Sequence, residues 1–171
     1  MITNVQLTTK ERYLLEDART HEEECILKYD SYANLANDAE LKAVFRTNGQ
    51  KEKEHLQTIN QLLSGKVPPM GQGNSQGNQS SQGGSGPSPI SQQATVDAKN
   101  MTSNCLNASD KDLCIDMLMM EKYVSGAYDT AIFEFKDASV RDVLNHIQTE
   151  EQKHGEAIFA YMQSKGMYKP S

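Results

Sequence analysis

Residues 149–158 read "TEEQKHGEAI", and residues 50–59 read "QKEKEHLQTI". Each contains a Glu-x-x-His: Glu151 with His154 in the first, Glu52 with His55 in the second. Alone, such a tetrad is common on solvated helices. Here both tetrads sit inside apolar stripes. Around the second run Leu41, Val44, Phe45, Asn48, Leu56, Ile59, Leu62 and Leu63, at steps of three and four; around the first run Val140, Val143, Leu144, Ile147, Ile158, Tyr161 and Met162. That period marks the buried face of an amphipathic helix. Two further stripes carry one glutamate each. Glu22 lies among Leu15, Ala18, Cys25, Ile26, Tyr29, Ala33 and Ala36, and Glu121 among Leu113, Cys114, Met117, Leu118, Val124, Tyr128 and Ala131.

An internal repeat links these features. Sliding the chain by 99 positions superposes Glu22 on Glu121, Tyr29 on Tyr128, Asp30 on Asp129 and Asp38 on Asp137. It also superposes Ala39 on Ala138, Val44 on Val143, Glu52 on Glu151 and His55 on His154. No gap is needed, and all four glutamates and both stripe histidines are included. The spacing predicts helices over 8–36, 38–64, 109–135 and 138–165. Turns are expected at Asn37-Asp38 and Lys136-Asp137, with Asp38 and Asp137 as N-caps. Each glutamate then lies roughly 22 Å from its turn, so the two of a hairpin are level. Two hairpins face to face bring four carboxylates and two imidazoles to one height.

Four buried carboxylates need countercharge. Two divalent cations supply it, and neutral imidazoles complete an oxygen- and nitrogen-rich donor set suited to Fe or Mn rather than to a compact zinc-only site. Glu22, Glu52, His55, Glu121, Glu151 and His154 are therefore the expected metal ligands. One Glu from each of two helices, with Glu-x-x-His from each of the others, is the di-metal carboxylate pattern of four-helix bundles.

The rest of the chain sets limits. Residues 65–89 hold seven of the eleven glycines and four of the five prolines, a composition that reads as a flexible linker. The expected division is a first hairpin over 1–64, a linker and crossover over 65–108, with a short helix possible in 91–106, and a second hairpin over 109–171, all in one bundle. Net charge is −6, which argues against nucleic-acid binding. No apolar run reaches the roughly 20 residues of a membrane span, and the first twenty residues carry no secretory signal pattern. Cys25, Cys105 and Cys114 form no C-x-x-C pair and suggest reduced thiols. Tyr29 and Tyr128 are expected as core tyrosines with buried hydroxyl partners. Asp30 and Asp129 either hydrogen-bond across the bundle to a ligand histidine or serve in capping and packing. Cys25 reads as a buried thiol. Met117, Met119 and Met120 read as filling the core and its edge, and His21 and His146 as lying at the surface or behind the ligands.

The four-helix pattern resembles the ferritin-like superfamily, with ligand spacing most similar to that of rubrerythrins. The pieces "DMLMMEKY", "YDTAIFE" and "EEQKHGEAIFAYM" make residues 107–166 similar to the coat F domain of spore coat proteins of endospore-forming bacteria. The first resemblance implies a ferritin-like bundle with two transition-metal ions on the six residues above. The second implies a spore-coat protein, made in the cytoplasm without a signal peptide, with other coat proteins or further copies of itself as partners. Rubrerythrin-like peroxidase or oxidase activity is the alternative. Rubrerythrins carry an extra glutamate one turn past the third-helix ligand, where this chain has Val124, and usually a rubredoxin module with paired cysteines, of which the sequence shows none.

Overall fold

The computed structural model describes residues 3–69 and 108–168. The connection from 70 to 107, with Cys105 and the short helix considered for 91–106, lies outside the described residues. The described residues form four helices: α1 (Thr9–Leu35), α2 (Ala39–Leu63), α3 (Asp110–Glu134) and α4 (Ala138–Ser164). Every boundary falls within one residue of its expected place, because a side chain caps each N-terminus. Thr8 and Glu11, and Ser109 and Asp112, form reciprocal capping boxes, while Asp38 and Asp137 accept from the backbone N–H groups of Glu40 and Ser139. Gly65 and Gly166, at φ 77° and 67°, take the left-handed conformation that stops α2 and α4.

The helices form two hairpins. α1 packs on α2 and α3 on α4; across the hairpins α1 meets α3 and α2 meets α4. Asp110, at the start of α3, accepts hydrogen bonds from the backbone N–H groups of Asn37 (2.7 Å) and Asp38 (2.9 Å), just past the end of α1. Lys10, at the start of α1, pairs with Glu134 at the end of α3. α1 and α3 are therefore antiparallel neighbours, and α2 ends at the opposite end of the bundle from the start of α3. The bundle is roughly 37 Å long for helices of this size.

Two apolar clusters fill the interior. One gathers Leu15, Ile59, Leu62, Phe135, Val140, Leu144 and Ile147; the other gathers Leu41, Phe45, Leu113, Met117, Ile158 and Met162. On α2, α3 and α4 the buried glutamate falls between the stretches that feed the two clusters, and on α1 Glu22 lies between Ala18 and Cys25 of the first cluster, before Tyr29 and Ala33 of the second, so the bundle is apolar at both ends and acidic at its waist.

Two details depart from the expectations. The linker does not begin at residue 65: Lys66–Val67 pairs antiparallel with Thr3–Asn4, Val5 N–H donates to Gly65 O (2.9 Å), and Val67 is buried. Gly65 turns the chain back onto its own beginning, and Val67 contributes apolar surface to the core. Met119 is 64% exposed rather than core-filling, since it lies about 200° around α3 from buried Met117. Met120 is partly buried against the core, as expected. Among the described residues no helix is long and apolar enough to cross a membrane.

Gly49 marks a tight helix contact. A Cβ there would stand 2.9 Å from Tyr29 Cβ, so α1 and α2 approach closely only because Gly49 has no side chain. Gly49→Ala is expected to lower unfolding free energy by about 1–3 kcal/mol despite alanine's better helix propensity. A denaturant titration checks this; a stabilised variant would mean that the contact relaxes freely.

Candidate metal centre

Each helix contributes one glutamate to the waist, and α2 and α4 add a histidine nearly one turn further on. All six side chains are buried, none more than 4% exposed. They form two overlapping groups that could hold a metal ion: Glu22, Glu52, His55 and Glu151, and Glu52, Glu121, Glu151 and His154. Within each, one donor atom per residue lies within 4.8 Å of the others. His55 Nδ1 faces Glu151 Oε1 at 3.0 Å, Glu52 Oε2 at 3.1 Å and Glu22 Oε2 at 3.6 Å. His154 Nδ1 faces Glu52 Oε1 at 3.1 Å, Glu151 Oε2 at 3.6 Å and Glu121 Oε2 at 3.7 Å. Glu52 and Glu151 thus give one oxygen to each group, whereas Glu22 and Glu121 serve one group apiece. The imidazole rings stack at 5.6 Å between centroids.

The surroundings hold the carboxylates in place. The Tyr29 hydroxyl, on α1, donates to Glu121 Oε1 on α3, and the Tyr128 hydroxyl, on α3, donates to Glu22 Oε1 on α1. The buried hydroxyl partners expected for these tyrosines are the glutamates of the opposite hairpin. Asn48 Nδ2 donates to Tyr29 Oη (3.1 Å) and to the His154 carbonyl (3.4 Å). With one oxygen of Glu22 and of Glu121 fixed by tyrosine, the other, Oε2, has no hydrogen-bond partner; neither has either oxygen of Glu151. Unpartnered buried carboxylate oxygens are costly in a protein interior, and these converge on the two histidine Nδ1 atoms.

Electrostatics shows how the cluster compensates its charge with protons. Burial, reinforced by the neighbouring carboxylates and opposed by histidine, pushes Glu22 and Glu121 each up to about 8. Burial acts on Glu151 in the same direction, but His154 and His55 outweigh it and pull its carboxyl down to about 2. Burial disfavours the imidazolium of His154, yet Glu121, Glu151 and Glu52 raise it to about 11; His55 is raised by the same balance of causes. Without another cation, protons take that place.

The centre is not fully symmetric. His55 Nε2 donates to Glu150 Oε2 at 3.4 Å, and His55 holds the Glu150 carboxyl down to about 2. His154 Nε2 has no partner. The repeat position of Glu150 is Lys51, which cannot accept and pairs instead with Glu54 at 2.7 Å. Asp30 and Asp129 do not support the histidines. Asp30 pairs at the surface with Lys53 at 3.2 Å, and Asp129 is exposed. Eight residues past Glu22 or Glu121 turns about 80° away from the core face. Cys25 is a free, fully buried thiol whose pKa burial raises, which suits packing rather than nucleophilic chemistry. His21 packs edge-on to the Tyr123 ring at 5.3 Å, His146 is exposed, and Val124 is fully buried. Sequence reasoning left Glu150 and Asn48 without roles. The repeat could have drawn attention to Glu150 only through its charge reversal against Lys51.

No curated protein and no solved structure matches the chain. Residues 109–171 match the family model of the Coat F domain. That stretch holds Glu121, Glu151 and His154, so the second hairpin, with half of the buried donors, is similar to the Coat F domain.

Proposed function

We propose that the chain is a spore-coat or spore-associated structural protein whose ferritin-like bundle is closed at its waist by two transition-metal ions, Fe or Mn. The match of residues 109–171 to the Coat F domain supports the coat assignment. One observation carries the metal reading: each histidine Nδ1 faces three carboxylate oxygens at 3.0–3.7 Å, and Glu52 and Glu151 divide their oxygens between the two groups. Donors about 2.1 Å from a common ion stand about 3 Å apart when at right angles. Two divalent ions balance the four carboxylates, and all six donors are oxygen or imidazole nitrogen, which suits Fe and Mn. Glu22 and His55 would hold one ion, Glu121 and His154 the other, with Glu52 and Glu151 shared. Tyr29, Tyr128 and Asn48 orient the donors, and the apolar clusters above and below exclude water. In a coat, the partners are other coat proteins or further copies of this chain.

A second reading, a rubrerythrin-like peroxidase or oxidase, is favoured by one feature. Glu121 and Glu151 line a surface groove between α3 and α4. Such a metal pair, when bound, supplies redox chemistry toward peroxide or dioxygen. Buried Val124, at the place where rubrerythrins carry a further glutamate, counts against that reading.

Metal analysis of protein purified with and without air tests the shared core of both readings: two Fe or Mn per chain are expected. Peroxide consumption with an external reductant then separates them. No turnover is expected of a structural pair, and sustained turnover would move the assignment to the enzyme. A chain that takes up no transition metal under either condition overturns both readings.

A further inference from the structure

The two hairpins differ where their surfaces lie over the buried carboxylates. Between α3 and α4 runs a groove of about 570 Å³ whose walls include Leu118, Glu121, Ser125, Glu151, Gly155 and Phe159. Two of these are candidate metal ligands, Glu151 is fully buried and Glu121 3% exposed, and both carry carboxylate oxygens with no hydrogen-bond partner. In the first hairpin the repeat places Ile26 at the position of Ser125 and Leu56 at the position of Gly155. Both are partly buried, so side chains occupy there the positions that Ser125 and Gly155 leave open.

Gly155 is not demanded by packing. A Cβ at that position would meet Leu118 Cδ2 at 3.9 Å, an ordinary contact, unlike the 2.9 Å clash at Gly49. A glycine in a helix interior weakens the helix relative to alanine, and neither backbone conformation nor a close helix approach requires this one. What it does provide is space in a wall that also contains Glu121 and Glu151.

We propose that the α3–α4 groove is the port through which small molecules reach the centre, and that they arrive at the Glu121–His154 side rather than at the Glu22–His55 side. The proposal rests on the metal reading above. Its occupant is a small, neutral or singly charged molecule of the size of dioxygen, peroxide or azide. Leu118 and Phe159 make one part of the wall apolar, and two divalent ions would cancel the charge of the four carboxylates, so the groove would not select for cations. Small residues at positions 125 and 155 set the width of the passage.

Cobalt(II) and azide test this without relying on turnover. The wild type should bind two cobalt ions per chain, and azide should change the visible spectrum of the bound cobalt, saturating at one azide per chain. Gly155→Leu, which installs the first hairpin's residue, should take up two cobalt ions with an unchanged spectrum but bind azide at least tenfold more weakly. Ser125→Ile should act the same way, and decides the matter if Gly155→Leu does not fold. Variants that hold two cobalt ions and bind azide as the wild type does would overturn the port while leaving the metal pair intact. A wild-type cobalt protein indifferent to azide would also overturn the port. A wild type that takes up no cobalt removes the metal reading and the port together.

Discussion

Adding two equivalents of a divalent transition metal to the metal-free protein at neutral pH is expected to release up to four protons. Glu22 and Glu121, pushed to about 8, His154, raised to about 11, and His55, also raised, are the four groups that hold a proton there. Each must lose it to donate a lone pair to an ion. Calorimetry in buffers of different ionisation enthalpy counts the protons, and affinity should fall as pH is lowered. The same groups fix how the metal-free fold responds to pH. Glu22 and Glu121 have folded values above their ordinary 4.5, so their stabilisation is complete below about 4.5 and is lost as pH rises through about 8. The His154 contribution is likewise complete below 6.5 and is lost as pH climbs toward about 11. Glu151, held at about 2, contributes a constant amount between pH 5 and 9 and loses it only in acid. Thermal midpoints should therefore fall from pH 5 to 9 without metal, and hold or rise with it. Metal uptake with no proton release would mean that the buried carboxylates are compensated in some other way.

The second large effect is on stability itself. At a free metal concentration a thousand-fold above the dissociation constant, binding to the folded state alone adds about 4 kcal/mol, worth roughly 10 °C in a protein of this size. Glu22→Ala combined with Glu121→Ala should abolish that increment, because it takes one carboxylate from each group while leaving both Glu-x-x-His pairs. The informative quantity is the difference between melts with and without metal. The metal-free double variant also strands the hydroxyls of Tyr29 and Tyr128, which lose their acceptors and shift the baseline. If the double variant kept the full increment, the metal would be held by other residues.

Much of this was legible in the chain because two kinds of signal are local. The starts of the second and fourth helices are written by Asp38 and Asp137, whose effects reach only a turn away. The six waist residues share a face and a 99-residue offset, so periodicity brings them to one level without knowledge of packing. What stayed hidden depends on which helices become neighbours. That Tyr29 meets Glu121 rather than a group of its own hairpin follows from α1 lying beside α3, which periodicity does not encode. Glu150 escaped because its repeat partner is a lysine, so the repeat that brought out the six candidate ligands concealed the carboxylate that pairs with His55. The pairing of Thr3–Asn4 with Lys66–Val67 spans two residues per strand, too short for an alternating pattern.

The bonds from Tyr29 to Glu121 and from Tyr128 to Glu22 also bear on the order of events as the chain leaves the ribosome. The first hairpin emerges with Glu22, Glu52 and His55 but lacks Glu151, which both groups require, and Tyr128, which holds Glu22 in place. A nascent first half therefore lacks a residue that both groups share. Only when α4 docks do both positions close together, so if the proposed ions bind, their capture would report the last step of assembly and lock a hairpin pair that is already correctly matched.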